Sequence, residues 1–339
     1  MEILRDIEQR KLPPTCIAVG VFDGVHIGHQ AVLRQAVASA REHHLRSAAL
    51  TFDPHPARVV QPRSAPRLLT TIPERAALIA ALGVEALIIV GFDRAFAGLA
   101  PEEFARCVLT EQLNARCVVA GEGFRFGRGA AGTAAVLAEL GARFGFSAAE
   151  VKRVTVDGAE VSSTAIRELV AAGDVERATR LLGHCYVISG PVEPGDRRGR
   201  RLGFPTANIA VTRDKLLPAN GVYAAKARLD GESAIYARPD GESARRVTNA
   251  RLEGALAVVN IGVRPTFPPR GEEEPSRVRR KVYVEAHFPD ADAGDLYGRA
   301  ITLEIVNRLR DEMRFPSPEA LVEQIRRDIA LARKVLERA

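Results

Sequence analysis

Two histidines at the start of a predicted helix are the residues best suited to chemistry in this sequence. They lie in VGVFDGVHIGHQAVL, where an apolar strand breaks at Asp23-Gly24 and a helix begins near Gly28. Backbone N–H groups and the helix dipole favour an anion at a helix start, and the rings of His26 and His29 add two donors. The pattern predicts a triphosphate site suited to adenylyl transfer, in which catalysis is mostly positioning and charge neutralisation.

Other interpretations of the same segment are weaker. A single histidine at a helix start is more often a cap or a solvated group, so the prediction depends on the pair together with its two glycines. A metal site is disfavoured because no Cys or acidic residue completes a set with zinc-ligand spacing around His26 and His29. The segment contains neither a Walker loop nor Gly-x-Gly-x-x-Gly.

A second anion-binding point is predicted in VSSTAIR at 161–167. Ser162, Ser163 and Thr164 suit either the cap of the next helix or hydrogen bonds to a phosphate, and Arg167 falls on that helix's first turn. Capping alone is a common reason for a Ser/Thr cluster. The position of this cluster, about one domain length after the histidines, favours a shared site.

Oxygen-bearing side chains recur in the second half of the chain. GFPTAN at 203–208 opens a predicted strand, so Thr206 and Asn208 lie on one face and present hard oxygens suited to Mg²⁺. Standing alone, the motif is more simply interpreted as a turn into a strand. GDRRGR at 195–200 supplies glycines and guanidinium groups for a nucleotide, or is a solvated basic turn. Glu285 lies on an alternating strand, where a carboxylate can act as a general base or simply face water.

The elements that must position these residues fall into two sets. Between Thr15 and Leu182, short apolar runs alternate with longer amphipathic segments, which predicts a Rossmann-like α/β domain with a parallel sheet over 1–183. After Gly183, strands punctuated by Gly and Pro predict a small antiparallel β-barrel with a C-terminal helix over 184–339. The predicted strands are 16–22, 47–52, 86–91, 117–121, 149–154, 185–190, 206–211, 221–229, 255–259, 282–288 and 300–305, and the predicted helices are 29–43, 73–82, 101–113 and 318–336.

Composition narrows the function classes. The 339 residues are 46% hydrophobic and 27% charged, and they contain no apolar run long enough for a membrane span. The N-terminus lacks a secretory signal, so we expect a cytoplasmic protein without a membrane partner. The four scattered Cys residues predict buried small side chains and not a disulfide framework.

The net charge of +6 leaves a nucleic-acid partner as a distant alternative. Basic and acidic residues are interspersed, Trp is absent and aromatic residues are only 5%, which disfavours such a partner. Polar segments at 230–254 and 268–281 are predicted to be an elongated hairpin and a solvated loop.

The motifs together resemble the bifunctional riboflavin kinase/FAD synthetase family over nearly the whole chain. The matching pieces are VGVFDGVHIGH, TFDPHP, FRFG, VSSTAIR, LGFPTANI, LLPANGVY, VVNIGVRPTF, DLYG and LRDEMRF. The resemblance implies that the second domain phosphorylates riboflavin to FMN with ATP, releasing ADP. It implies that the first domain then transfers AMP from ATP to FMN, giving FAD and pyrophosphate, with Mg²⁺ accompanying ATP.

The resemblance also assigns roles to particular residues. It implies catalytic roles for Glu285, His26, His29 and Arg167, and a metal-binding role for Thr206 and Asn208. Implied nucleotide contacts are Gly20, Phe22, Asp23, Gly24, Gly28, Ser163, Thr164, Gly195, Asp196, Arg200, Gly203, Thr206 and Asn208. Implied flavin contacts are Phe52, His55, Phe124, Phe126, Arg310 and Phe315. By spacing alone, Phe124 and Phe126 are ordinary core or edge-strand aromatics, and Arg310 and Phe315 are a salt-bridging Arg and a core Phe.

One position departs from the family pattern. The family usually has Asp or Asn where this chain has Gly123, within GEGFRFG at 121–127. Either Glu122 substitutes for the missing polar contact, or the adenylyltransferase half is slowed. The alternative function is therefore a riboflavin kinase with a weakened adenylyltransferase half.

Overall fold

The chain forms two units of contacting elements. The computed structural model describes residues 1–5, 12–194, 202–229, 252–263, 282–291 and 296–338. One unit comprises Met1–Ala165 and Leu181–Gly183, and the other comprises Ile166–Arg180 and His184–Ala339. The second unit therefore includes a helical segment that precedes the barrel strands in the chain.

A six-stranded parallel sheet organises the first unit. Its strands are β1 (Glu2–Arg5), β2 (Thr15–Val19), β3 (Arg46–Asp53), β4 (Ala86–Gly91), β5 (Ala115–Gly121) and β6 (Ser147–Val151). Their order across the sheet is β1-β4-β3-β2-β5-β6. Successive β2 residues pack into different clusters, with Ile17 and Val19 in one and Cys16 and Ala18 in the other. Both faces of the strand are covered, which explains why the central strands are apolar throughout.

Helices connect these strands, and two further helices follow the sheet and lie mainly in the second unit. They are α1 (Ile27–Glu42), α2 (Pro56–Val60), α3 (Ile72–Ala81), α4 (Arg94–Ala97), α5 (Pro101–Glu103), α6 (Ala134–Phe144), α7 (Ser163–Ala172) and α8 (Val175–Leu182). A short hairpin of β7 (Thr155–Val156) and β8 (Ala159–Glu160) precedes α7. Helix α3 begins with a capping box, in which Thr71 and Glu74 bond each other's backbone N–H groups.

The segment predicted to be helical over 101–113 is helical, but most of it is not an α-helix. Only Pro101–Glu103 is α-helical, and Phe104–Gln112 is a π-helix. The Thr110 hydroxyl donates to the Ala105 carbonyl five residues earlier, at 3.0 Å, and the Leu113 N–H donates to the Val108 carbonyl. The wider turn follows from these bonds, which apolar periodicity does not reveal.

A closed barrel organises the second unit. Its strands are β9 (Tyr186–Glu193), β10 (Thr206–Ile209), β11 (Gly221–Leu229), β12 (Ala255–Val263), β13 (Val282–His287) and β14 (Ala300–Arg310). All neighbours pair antiparallel in the closed order β10-β13-β12-β11-β14-β9. Helix α9 (Pro318–Leu336) packs its Ala332 against Val222, Ala224 and Val258 of the barrel. The predicted α/β domain followed by a barrel and C-terminal helix is confirmed.

Several predicted bounds need correction. The strand predicted over 16–22 ends at Val19, because the chain turns into a loop in which Phe22 has a φ of 53°. The strand predicted over 149–154 is Ser147–Val151, and the one over 206–211 ends at Ile209. Strand β1 and helix α6 were not predicted. The segment predicted to be a solvated loop at 268–281 lies outside the described residues, as does 230–251 of the predicted hairpin.

The cysteines divide into two kinds. Cys16 and Cys117 are buried and stand opposite each other on β2 and β5. Cys107 and Cys185 are only half-buried. The prediction that all four side chains are buried is therefore wrong for Cys107 and Cys185. The Cys16 thiol donates to the Cys117 sulfur, which lowers the pKa of the Cys117 thiol. Within the described ranges, no helix is long and apolar enough to cross a membrane.

Candidate functional site

The histidine loop, residues 20–26, joins β2 to α1. It follows the strand at which the order of the strands in the sheet reverses. From β2 the chain proceeds through β3 and β4 on one side, and β5 then pairs with the other side of β2. Ligands of open α/β sheets bind outside the carboxyl ends of the strands at such a switch point. The segment after β2 carries His26 and His29, and the segment after β5 carries Phe124 and Phe126.

The two histidines lie together at the N-terminus of α1. His26 is the N-cap, and its Nδ1 accepts from the His29 backbone N–H at 3.2 Å. The two rings stack with centroids 3.6 Å apart, and Phe22 meets His29 edge-on at 5.4 Å. A Cβ at Gly28 would lie 3.2 Å from the His26 ring, so a side chain there would require that ring to shift by a few tenths of an ångström. The placement of both rings at a helix start matches the sequence prediction, and His26 is also a helix cap.

The loop between β2 and α1 adopts a costly backbone conformation. Phe22, Gly24 and Val25 have φ values of 53°, 88° and 41°. For side chains other than glycine this region costs about 1–3 kcal/mol each and persists only where surrounding contacts hold it. Gly24 also approaches Leu69 so closely that a Cβ would lie 2.8 Å from that side chain.

Asp23 faces the protein interior and is 1% exposed. Its carboxylate accepts from the Leu69 and Thr70 backbone N–H groups at 3.0 and 2.9 Å, and Arg75 lies 3.5 Å away. The Gly24 backbone N–H donates to the Thr70 hydroxyl at 2.9 Å. Two residues expected to contact nucleotide thus tie the loop to the segment before α3.

The second predicted anchor begins at the same loop. The Ser163 hydroxyl donates to the Asp23 carbonyl at 2.9 Å, while the Ser162 hydroxyl accepts from the Ala165 N–H as a helix cap. Thr164 and Arg167 lie on the first turns of α7. The structure therefore brings Ser163 to the histidine loop and gives Ser162 the capping role.

Aromatic side chains gather at the carboxyl ends of β3, β4 and β5. Phe52 lies 5.4 Å from Phe92 and 6.0 Å from Phe96, measured between ring centroids. Phe124 and Phe126 stack at 5.7 Å, and Phe126 is 7% exposed. A flat apolar ligand suits such a group of rings. His55, by contrast, caps α2 by accepting from the Ala57 N–H at 3.1 Å.

The side chain of Arg153 occupies the space that a side chain at Gly123 would need. The φ of Gly123 is 80°, and a Cβ there would lie 2.9 Å from Nη2 of Arg153. Arg153 pairs with Glu160, and its backbone N–H donates to the Glu122 carboxylate at 3.1 Å. Glu122 is thus engaged with the Arg153 backbone.

A row of polar side chains crosses three strands of the barrel. Asn208 on β10 stands opposite Glu285 on β13, and Glu285 stands opposite Asn260 on β12. Directly opposed residues share a face, so the three side chains are neighbours. Each is half-buried, while the flanking Val284 and Ala286 are buried in the barrel. The alternation predicted for β13 is correct.

Thr206 extends this row towards the end of β10. It stands opposite His287, whose Nδ1 lies 2.8 Å from the Pro205 carbonyl. Gly203 has a φ of 84°, which suits glycine in the turn before the strand. Gly195, Asp196 and Arg200 lie outside the described residues.

Arg310 and Phe315 lie where β14 leads to α9. The Arg310 guanidinium binds Asp328 of α9 through Nε at 3.0 Å and Nη2 at 2.8 Å, and it lies 5.8 Å from the Phe315 ring centroid. Gln324 donates to the same carboxylate at 2.8 Å. The salt-bridge interpretation of Arg310 is correct, and Asp328 is the partner that fixes its position.

Replacing Asp328 by alanine is expected to destabilise the barrel unit. The side chain of Asp328 is 5% exposed and that of Arg310 is 18% exposed. Losing one partner leaves the other charge poorly solvated, so the free energy of unfolding should fall by about 3 kcal/mol. Urea unfolding followed by tyrosine fluorescence would measure it, because all five Tyr residues follow Gly183 and Trp is absent.

The matched control for this variant is Glu323→Ala on the same helix. Glu323 pairs with Arg327 in the open, with side chains 66% and 68% exposed. An exposed pair of this kind contributes at most about 0.5 kcal/mol. Equal losses for the two variants would contradict a stabilising Arg310–Asp328 pair.

Sequence reasoning missed some residues of these sites. Asn260 lies in VVNIG and became visible only through the register with Glu285. Phe92 and Phe96 follow β4, and the rule that ligands bind at the carboxyl ends of strands could have found them. Arg75 and Asp328 gave no sequence signal, because a buried ion pair depends on tertiary contacts.

These features define a class of protein with two phosphate-handling units. One is an α/β unit in which the histidine loop lies where the strand order of the sheet reverses. The other is a barrel in which Glu285 stands between two asparagine residues on the neighbouring strands. Family models assign the same order, with residues 8–165 matching FAD synthetase and residues 182–336 matching riboflavin kinase.

Curated relatives extend the match to the whole chain. The bifunctional riboflavin kinase/FMN adenylyltransferase of Escherichia coli strain K12 is 34% identical over 98% of this chain and 97% of its own length. The protein of that description from Bacillus subtilis is 36% identical, over 92% and 89%. A crystal structure described as a macrolide-efflux protein from Streptococcus pneumoniae has 27% identity and a TM-score of 0.79, over 98% of this chain and 99% of that one.

The chain belongs to the bifunctional riboflavin kinase/FMN adenylyltransferase family. The predicted family, its domain order and its two transferase activities are confirmed at this level, with ATP and flavins as the family's substrates.

Proposed function

We propose that this chain makes FAD from riboflavin in two ATP-dependent steps. The barrel unit phosphorylates riboflavin to FMN and releases ADP. The α/β unit then adenylylates FMN to FAD and releases pyrophosphate. The observation that carries the proposal is the occurrence of both chemical constellations in one chain, in the order of the family models. Since both steps consume ATP, we expect the protein to act in the cytoplasm.

Glu285 is the general base of the first step in this proposal. Its carboxylate accepts the proton of the riboflavin 5′-hydroxyl as that oxygen attacks the γ-phosphorus of ATP, and the bond to the β–γ bridging oxygen breaks. The half-buried position of Glu285 between Asn208 and Asn260, its neighbours on the adjacent strands, supports this role. Arg310 and Phe315 are proposed to contact the flavin.

Thr206 and Asn208 fit a magnesium ion that accompanies ATP. Their oxygens lie on one face of β10 and are hard donors, as Mg²⁺ prefers. In the described part of the chain, no group of three or more His, Cys, Asp or Glu side chains is arranged to hold a metal ion. When bound, the ion neutralises charge on the phosphate oxygens.

The histidine loop serves the second step. A phosphate oxygen of FMN attacks the α-phosphorus of ATP, and the bond to pyrophosphate breaks. His26 and His29 are proposed to donate to the phosphate oxygens, with Ser163, Thr164 and Arg167 as further donors. Phe52, Phe124 and Phe126 are proposed to contact the isoalloxazine ring, and the neighbouring Phe92 and Phe96 enlarge that aromatic surface.

A time course tests both steps at once. The purified chain is incubated with riboflavin, excess ATP and Mg²⁺, and the flavins are separated by chromatography. FMN appearing first and FAD later is the expected result. FMN that never becomes FAD would instead support the kinase with a weakened first unit. Absence of both products would overturn the proposal.

Substituting Gly123 by asparagine should raise FAD formation. The side chain would supply the polar contact that the family has there, and Arg153 can move aside because it is exposed. One net hydrogen bond contributes about 1 kcal/mol, so we expect a roughly five-fold higher rate from FMN and ATP. Gly129→Asn is the control, since Gly129 also has a positive φ and a Cβ there meets nothing within 4 Å. An unchanged or lower rate for Gly123→Asn would contradict the prediction.

A further inference from the structure

Arg75 is a fully buried arginine that the proposed chemistry does not use. It lies on α3, is 1% exposed, and packs beneath the loop that joins β2 to α1. Its Nη1 donates to the Thr51 hydroxyl at 3.1 Å, its Nη2 to the Thr70 carbonyl at 3.3 Å, and its Nε to the Thr70 hydroxyl at 3.4 Å. Its Nη2 also lies 3.5 Å from the Asp23 carboxylate. Burying a charged guanidinium group costs desolvation free energy, so the position of Arg75 calls for a structural or functional explanation.

Each partner of Arg75 holds the histidine loop. The Thr51 hydroxyl donates to the Val21 carbonyl at 2.8 Å. The Thr70 hydroxyl donates to the Asp23 carboxylate at 3.2 Å and accepts the Gly24 N–H at 2.9 Å. Three of the four loop positions from 21 to 24 are therefore tied, directly or through one threonine, to a single guanidinium group.

The loop needs such a support. Phe22 and Val25 both have positive φ values, which a β-branched side chain like that of Val25 rarely adopts. His26 follows immediately and begins α1, so the backbone path of residues 22–25 determines where the two imidazole rings lie. The Ser163 hydroxyl is fixed by the Asp23 carbonyl and would shift with the loop.

We propose that the buried Arg75–Asp23 pair fixes the backbone of the histidine loop. The pair thereby positions the side chains of His26, His29 and Ser163 for adenylyl transfer. Asp23 then acts through the loop and not as a nucleotide ligand. Arginine is required because three of its nitrogens bond separate oxygens in a fixed plane, which a lysine ammonium on a flexible stem does not reproduce. The inference rests on the proposed FMN adenylyltransferase activity of this unit.

Arg75→Met and Arg75→Lys test the proposal in the full-length chain. For Arg75→Met we expect kcat/KM for ATP in FAD formation to fall about 100-fold, the loss typical of a small misplacement of catalytic groups. The KM for FMN should stay within two-fold, because Phe52 points to the face of β3 opposite to that of Thr51 and packs with Phe92 and Phe96. Arg75→Lys should recover part of the loss. Phosphorylation of riboflavin by the same preparations should be unchanged.

Hydrogen exchange separates a displaced loop from an unfolded unit. Peptides covering residues 20–30 should exchange faster in Arg75→Lys, while peptides from β4 and β5 keep their wild-type rates. Arg46→Met is the matched control, since Arg46 forms an ion pair with Glu2 near the start of β3, the end of that strand remote from the loop. It should alter neither the loop exchange nor FAD formation.

The cycle of Asp23→Asn, Arg75→Met and the double variant completes the test. If the two residues act as one device, the double variant should be little worse than either single variant. Additive losses, wild-type FAD formation in Arg75→Met, or unchanged loop exchange in Arg75→Lys would each overturn the proposal. Failure of the proposed function is distinguishable, because the wild-type chain would then make no FAD while the exchange difference persisted.

Discussion

Replacing Glu285 by alanine should abolish FMN formation and leave the conversion of added FMN to FAD intact. Glu285 is half-buried between Asn208 and Asn260, whereas Glu193, which stands on the other side of Asn208 in the same row, is exposed. A positioned general base contributes roughly 10²–10⁴-fold to rate, so the loss of kcat should lie in that range. Separate assays with riboflavin and with FMN as the starting flavin measure the two activities.

Two further variants show whether the loss is chemical. Glu285→Gln keeps the shape of the side chain and removes the base, so it should lose nearly as much activity as alanine. Glu304→Ala removes a carboxylate from β14 of the same barrel, one that lies 3.9 Å from Arg228, and it should keep FMN formation. Loss of both activities in Glu285→Ala would contradict separate sites in the two units.

Much of this architecture could be predicted because it depends on periodicity along the chain. Apolar runs separated by amphipathic segments indicate a parallel sheet, and alternation along β13 places Glu285 and His287 on one face. The placement of His26 and His29 at a helix start was predictable for a similar reason, since Asp23-Gly24 and Gly28 indicate a turn between a strand and a helix. Local sequence determines both features.

What could not be predicted depends on contacts between distant segments. Asp23 and Arg75 are 52 positions apart in the numbering of the sequence, and only the fold shows that Asp23 points inward to that arginine. The same holds for Asn260, which strand register places beside Glu285, and for Asp328, which binds Arg310 from α9. The role of a polar residue changes with its partner, and partners of this kind leave no periodic signal.

The two histidines allow a sharper distinction between capping and catalysis. His29→Ala should lower kcat/KM for FAD formation roughly 10²–10³-fold, as expected when a donor to developing phosphate charge is lost, without changing thermal stability. His26→Ala should lower the same activity and also cost about 1 kcal/mol of stability, because His26 Nδ1 caps α1. His43→Ala at the other end of that helix is the control and should keep full activity. If activity fell only in His26→Ala and in step with the melting temperature, both rings would be structural, and the donors to the phosphate would have to be the backbone N–H groups of α1 and the Ser163–Arg167 segment.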